Sequence, residues 1–305
     1  MKDQMRGIYA IPPIAFNEDL SVDYDGVKNT VQFCLDCGSH GVVLPVNASE
    51  FFLLNEEERN RVVKIAVETV DKKVPVVAGI TAPSTQQAIA YAKYAQDVGA
   101  DAVVAMPPYV FKLPENEIYR FFAELNDAVD IPIILQNFGP PTGTVMSVSL
   151  MLKMLGDFEN VQYVKEETTY SPQVITKIIE GSKKLPDGAL KGVMGGKGSR
   201  LIIEETMRGA CGNMPSCHVA DILVDIWELL EENKLDEAQE LFNLVLPLLN
   251  YDGVYPITVY KEVLRRRGII KYAAARNASW GTLDTDNHKE LDRLWGPVSE
   301  LFRVR

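Results

Sequence analysis

Apolar residues come in short runs along this chain, at intervals of about 30 residues, with segments of helical pattern between them. The runs are rich in β-branched residues, which is typical of strands. Their centres fall near residues 9, 43, 77, 104, 134, 163, 193 and 212. The interval matches one strand–helix–strand crossover, and runs that stay apolar throughout are typical of parallel strands buried on both faces. The pattern therefore predicts eight parallel strands.

Polar residues at the ends of the intervening segments indicate where helices begin. Asn55, followed by Glu58, is predicted to be an N-cap with a capping-box partner. Ser84, followed by Gln87, carries the same signal, and Ser171 directly before a proline predicts a further cap. Helices that alternate with eight parallel strands predict an α/β protein with a (β/α)8 TIM barrel. An open, doubly wound sheet is the alternative, but no glycine-rich phosphate turn follows the first strand.

The strand pattern stops after residue 217, while helical patterns continue. They cover residues 218–232, 235–248, 255–267 and 286–301. The first closes the barrel, and the others predict a C-terminal helical extension. No linker rich in proline, glycine or serine precedes them, so we expect the barrel over 1–232 and an extension over 233–305 that packs on it.

The composition is that of a globular protein and argues against several partners. The 305 residues are 47% hydrophobic, which is enough for a large core. The net charge of -11 argues against nucleic acid, whose phosphates need clustered basic residues. No run approaches the roughly 18 apolar residues that span a bilayer. The chain is therefore expected to bind neither nucleic acid nor a membrane.

Four cysteines, without a signal-peptide pattern, predict a reduced, cytoplasmic protein. Cys34 and Cys37 have the spacing of a redox or zinc half-site. They lie in a helical pattern, however, and no second ligand pair stands at a suitable distance. We therefore favour buried thiols and predict no metal site.

Lysine at the end of the sixth predicted strand is the first candidate for chemistry. Barrel enzymes place their reactive groups after the carboxyl ends of the strands, and Lys165 directly follows an apolar run there. Burial disfavours the ammonium form and yields an amine that can attack a ketone. The alternative is a structural ion pair of Lys165 with Glu166 or Glu167.

Other strand ends carry polar or flexible residues that are candidates for the same site. Tyr109 follows the fourth strand, Gln136 ends the fifth and Ser216 follows the eighth. A glycine-rich segment, residues 195–198, follows the seventh strand but lacks the spacing of a phosphate loop. We expect these glycines to let substrate approach the backbone, with Gly196 against its hydroxylated tail.

Several of these segments resemble one known family. They are residues 105–109 (AMPPY), 131–137 (IPIILQN), 142–143 (TG), 164–166 (VKE) and 267–270 (RGII). Together they resemble the dihydrodipicolinate synthase/N-acetylneuraminate lyase family of class I aldolases and dehydratases, and the similarity covers nearly the whole chain. The resemblance implies a (β/α)8 barrel, a Schiff base on Lys165, a small 2-oxo acid substrate, no organic cofactor and a homo-oligomer, tetramer or dimer.

The chain departs from the family pattern at two places. Asn47 and Ala48 replace two hydroxyl residues that hold the substrate carboxylate in the synthases and lyases of this family. The carboxylate is then expected to bind backbone N–H groups and Ser49. Gln136 replaces a proton-shuttling tyrosine at the end of the fifth strand. An amide does not titrate, so Gln136 can orient water or a hydroxyl but cannot transfer protons.

Proton transfer therefore falls to another group, for which Glu167 is the first candidate. It lies two residues beyond Lys165, and so on the same face of an extended strand. Tyr109 is the reserve candidate. An ion pair of Glu167 with Lys191 or Lys197 is the structural alternative.

The loop, Gln136 and Glu167 together are most similar to the 2-keto-3-deoxy-L-arabonate dehydratase branch of the family. That resemblance implies loss of water from a 2-oxo-3-deoxy sugar acid. Two alternatives stay open: a retro-aldolase that releases pyruvate, and a barrel that has lost catalysis and serves a binding or regulatory role.

Overall fold

The computed structural model describes residues 4–139, 143–276 and 281–304. A closed barrel of eight parallel strands forms its centre, and β8 pairs with β1. The strands are β1 (Gly7–Ala10), β2 (Gly41–Leu44), β3 (Val76–Gly79), β4 (Ala102–Ala105), β5 (Ile133–Phe138), β6 (Val161–Glu167), β7 (Gly192–Gly195) and β8 (Gly212–Asn213). Each predicted centre lies within one of them, so the predicted (β/α)8 barrel is confirmed.

Helices alternate with the strands and continue after the last one. Those in the described residues are α1 (Tyr24–Asp36), α2 (Glu56–Val70), α3 (Thr85–Val98), α4 (Glu115–Asn126), α5 (Val148–Asp157), α6 (Ser171–Ser182), α7 (Ile202–Met207), α8 (Ala220–Glu231), α9 (Leu235–Asp252), α10 (Pro256–Arg266) and α11 (Thr285–Ser299). No described helix is long and apolar enough to cross a membrane.

The helix caps agree with the sequence in part. Asn55 forms the predicted reciprocal capping box with Glu58 at the start of α2. Ser84 caps α3, but the side chain of Gln87 donates to the hydroxyl of Tyr91 instead of closing a box. Ser171 is the first residue of α6 and not its cap, because its hydroxyl donates to a buried carboxylate from α7.

β5 and β6 are the longest strands of the barrel, and their pairing places the polar residues at its carboxyl end. Gln136 stands beside Lys165 in the ladder, and Phe138 stands beside Glu167. Because side chains alternate along a strand, Lys165 and Glu167 point to the same face, while Glu166 points to the other. This register brings three predicted site residues together.

The helices after the barrel pack on its first strand and on α8. Ile8 of β1, Trp227 of α8 and apolar residues of α9, α10 and α11 form one buried cluster. Arg267, directly after α10, pairs with the fully buried Asp221 of α8. The three predicted C-terminal helices are therefore present and packed on the barrel; the domain boundary between residues 232 and 233 stays a prediction.

Candidate active site

A cavity of about 380 Å³ opens at the carboxyl ends of the strands. Residues from the ends of β5 and β6, from the loops after β1, β2, β7 and β8, and from the α9–α10 segment line it. Six residues that the sequence predicts for the site are among them: Asn47, Ala48, Gln136, Lys165, Glu167 and Ser216. This is the end of the barrel at which such enzymes bind substrate.

Lys165 lies in the wall of this cavity and is only 3% exposed. Its Nζ is 3.2 Å from Oε2 of Glu167. Glu166, on the opposite face, instead accepts hydrogen bonds from Asn137 and Thr168. Of the two ion pairs considered from the sequence, the one between Lys165 and Glu167 is present. Both residues line the cavity.

Two groups hold Glu167 in addition to Lys165. The side-chain amide of Gln136 donates to Oε2 at 2.7 Å, and the backbone N–H of Lys197 donates to Oε1 at 3.1 Å. A Cβ at Gly196 would collide with this carboxylate. The absence of a side chain at Gly196 therefore lets Glu167 approach the β7 loop. Gly196 is not among the residues that line the cavity.

Two polar side chains of the cavity wall have no partner in the described residues. The amide oxygen and nitrogen of Asn47 are both buried without a hydrogen bond, and so is the hydroxyl of Ser216. Buried polar atoms are normally paired, so groups of this kind indicate a place for a polar ligand. The hydroxyl of Ser49 differs, because it donates to the carbonyl of Pro12 and does not line the cavity.

Tyr109 also lies outside the cavity wall of this chain. Its ring packs edge-on against Phe51 at 5.7 Å, and burial raises the pKa of its phenol. Thr142, part of the family-like segment after β5, lies outside the described residues. The structure therefore does not place Tyr109 in the cavity wall with Lys165.

Lys197 lines the cavity from the glycine-rich segment that the sequence singles out after β7. Two other lining residues were not found by sequence reasoning: Arg200, which follows that segment, and Tyr260 of α10. The phenol of Tyr260 is buried, which raises its pKa well above the usual value, and its ring stacks on His218 at 4.7 Å. Nε2 of His218 is 3.1 Å from Oδ2 of the buried Asp252. The strand-end rule could have found Arg200, whereas no local signal places a residue of α10 here.

Comparison with known proteins agrees with this barrel. Residues 4–294 match the Dihydrodipicolinate synthetase family. The chain is 32% identical, over 87% of its length and 85% of the relative, to an L-2-keto-3-deoxyarabonate dehydratase of Azospirillum brasilense. It is 31% identical, over 80% of both chains, to a 4-hydroxy-tetrahydrodipicolinate synthase of Methanopyrus kandleri.

The solved structures give the same result. Dihydrodipicolinate synthase from Rhodopseudomonas palustris superimposes with a TM-score of 0.88 at 26% identity, covering 96% of this chain and 97% of the other. The fold and site define a lyase of the lysine Schiff-base class. More narrowly, the chain belongs to the Dihydrodipicolinate synthetase family, whose members are lyases or aldolases that act on small molecules.

Proposed function

We propose that this protein is a dehydratase of a 2-oxo-3-deoxy sugar acid and that Lys165 forms the Schiff base. The observation that carries the proposal is the buried amine of Lys165, which lines the cavity 3.2 Å from the carboxylate of Glu167. Glu167 accepts the proton that the ammonium must lose before the amine attacks. A purely structural ion pair does not need to line a cavity.

The reaction begins when the amine adds to the C2 ketone and loses water, which gives an iminium on Lys165. The iminium acidifies C3, and Glu167 removes a proton there to give the enamine. The electrons of the enamine expel the C4 hydroxyl, which takes the proton from Glu167 and leaves as water. Addition of water to the iminium then restores the amine and releases the dehydrated 2-oxo acid.

The unpaired polar atoms of the cavity wall fit the rest of such a substrate. The amide of Asn47 can donate to the C1 carboxylate and accept from a hydroxyl, and Ser216 can do either. Gln136 supports the dehydratase over the synthase, because an amide beside Lys165 cannot relay protons as a phenol does. The similarity to an L-2-keto-3-deoxyarabonate dehydratase supports the same assignment.

Reductive trapping and product analysis test the proposal together. We expect a 2-oxo-3-deoxy sugar acid to become covalently attached to Lys165 in the presence of borohydride, as read by peptide mass spectrometry. Without borohydride, the product is expected to be lighter than the substrate by one water. Lys165→Met is expected to abolish both results, whereas Lys177→Met, on the exposed face of α6, should leave them intact.

Two outcomes would contradict the dehydratase. Pyruvate, detected with lactate dehydrogenase, would assign a retro-aldolase instead. Absence of any adduct with a panel of 2-oxo acids, on a folded protein, would favour a barrel that only binds its ligand.

We also propose a cytoplasmic homo-oligomer, a tetramer or a dimer. Four buried, free thiols fit a reducing compartment. Enzymes of this family usually form oligomers. Sedimentation of the purified chain measures the oligomeric state directly.

A further inference from the structure

The charged residues that line the cavity are mostly basic, although the whole chain is acidic. Three of them, Lys165, Lys197 and Arg200, are cations, and only Glu167 is an anion. The net charge of the chain is -11. A substrate with one carboxylate therefore leaves positive charge in the cavity uncompensated, whereas a second carboxylate would balance it.

The basic residues lie on two sides of Glu167. Its Oε2 faces Lys165, while its Oε1 accepts from the backbone of Lys197. Nε of Arg200 donates to the carbonyl of Lys197 at 3.0 Å, and a Cβ at Gly253 would collide with Nη1 of the same guanidinium. Gly253 directly follows α9. Arg200 therefore lies on the side of the cavity that the C-terminal helices form.

The outer nitrogens of Arg200 are available for a ligand. Within the described residues, Arg200 forms no ion pair within 4.0 Å. Burial raises the pKa of the nearby Asp252, although Arg200 acts against that rise, and the carboxylate of Asp252 faces His218 instead of Arg200. Lys197 differs, because its Nζ donates to the carbonyl of Thr168 at 2.8 Å. A guanidinium can bind a carboxylate through two parallel hydrogen bonds, so Arg200 is the stronger candidate.

The loop that carries these residues has an unusual backbone. Lys197, Gly198 and Ser199 all have positive φ angles, of 50°, 67° and 61°. Non-glycine residues in this region cost free energy and persist only where the surroundings hold them. Here the hydroxyl of Ser199 donates to Oδ1 of Asn213 at 2.7 Å. The loop is therefore fixed in a form that directs Arg200 to the cavity.

We infer that Arg200 binds a carboxylate at the end of the substrate remote from the 2-oxo group. The substrate class is then a 2-oxo-3-deoxy acid with two carboxylates, rather than one that ends in a primary alcohol. This inference rests on the Schiff base of the proposed function, because Lys165 fixes the other end of the molecule.

Two matched probes test the inference without turnover. 2-Oxoglutarate and 5-hydroxy-2-oxopentanoate have the same length and differ only in a terminal carboxylate or alcohol. Neither has a C4 hydroxyl, so both stop at the Schiff base and can be trapped with cyanoborohydride. We expect 2-oxoglutarate to half-saturate trapping at a concentration about 10- to 100-fold lower than 5-hydroxy-2-oxopentanoate does, because hydrogen bonds to a charged group contribute that much to affinity.

Two variants test whether Arg200 causes the preference for 2-oxoglutarate. Arg200→Gln is expected to remove the preference for 2-oxoglutarate and to leave trapping of pyruvate, which has no distal group, unchanged. Arg120→Gln, which removes an arginine 68% exposed on α4, should keep the preference.

Equal trapping of the two probes by the unmodified protein would overturn the inference. Weaker trapping of pyruvate by a folded Arg200→Gln would also overturn it, because Arg200 would then hold the C1 carboxylate. Absence of every adduct, that of pyruvate included, would instead reject the proposed function.

Discussion

In the proposed mechanism, the steps after Schiff-base formation depend on Glu167. Lys165, the amide of Gln136 and the backbone N–H of Lys197 all contact its carboxylate. These contacts fix both oxygens between the amine and the β7 loop. Among the described residues that touch the amine or stand beside it in the ladder, Glu167 alone can take a proton from carbon, because an amide does not titrate.

Replacing Glu167 by glutamine should separate condensation from elimination. Glu167→Gln keeps the size of the side chain and a hydrogen-bonding oxygen but cannot accept the C3 proton. We expect kcat for dehydration to fall about 10²- to 10⁴-fold, the usual contribution of a positioned acid or base. Reductive trapping of pyruvate on Lys165 should be slower, because Glu167 no longer takes the proton of the ammonium, but it should still reach the same adduct, as peptide mass spectrometry would measure. The control is Glu180→Gln, which alters a side chain 64% exposed on α6. Unchanged kcat would assign proton transfer to another group.

Residues of the site could be predicted where a side chain near the carboxyl end of a strand points inward. Lys165 and Gln136 satisfy that rule, and the two-residue step identifies Glu167. Ser49 shows the limit: it follows a strand, but its hydroxyl is satisfied by the carbonyl of Pro12, a contact between segments distant in sequence. Tyr260 reaches the cavity from α10, so only tertiary packing places it there.

At the scale of the element, periodicity predicts the strands better than the helix ends. Each apolar run became a strand, because burial on both faces leaves a local signal in the sequence. The helix predicted over 235–248 continues to Asp252. Pro247, inside α9, favours an earlier end in the sequence, but buried Leu248 and Leu249 hold the last turn against the barrel.

A buried ion pair joins α10 to the loop after β2. Lys261 and Glu50 are both fully buried and in direct contact. Glu50 also accepts from the backbone of Arg276 at 3.0 Å, and Lys261 donates to the carbonyl of Ala274 at 2.7 Å. Glu50 closes the loop that carries Asn47, so this pair connects the C-terminal helices with the substrate cavity.

Replacing one partner of this ion pair should destabilise the protein more than replacing both. Lys261→Met leaves the carboxylate of Glu50 buried without its cation, and we expect a loss of about 3–5 kcal/mol in the free energy of unfolding. The double variant Glu50→Gln/Lys261→Met should recover part of this loss, because no buried charge remains. Urea denaturation measures all three proteins. Lys289→Met, from an exposed pair with Asp286, should change stability by less than about 1 kcal/mol. A similarly small effect at Lys261 would show that water reaches Glu50.

For the whole molecule, a buried carboxyl beneath the β7 loop couples stability to pH. Glu205 of α7 accepts from the hydroxyl of Ser171 at 2.7 Å and from the amide of Asn213 at 2.8 Å. These partners come from α6 and β8, so the group joins three elements at the closing side of the barrel. Burial raises the pKa of Glu205 from 4.5 to about 7.

The sign of this linkage follows from the raised pKa. The folded protein keeps the proton of Glu205 up to about pH 7, while the unfolded chain releases it near pH 4.5. Stability from this group is therefore full below pH 4.5 and declines as the pH rises to about 7, by about 3 kcal/mol in all. Glu205→Gln cannot titrate, so its free energy of unfolding relative to the unmodified protein should rise by about that amount between pH 4.5 and pH 8. Urea denaturation at one protein concentration measures the difference, since an oligomer's stability depends on concentration.

Glu204→Gln, at a neighbouring side chain 51% exposed, should show no such rise. If the difference in the free energy of unfolding between Glu205→Gln and the unmodified protein stayed constant with pH, the pKa of Glu205 would be the same in the folded and unfolded chains.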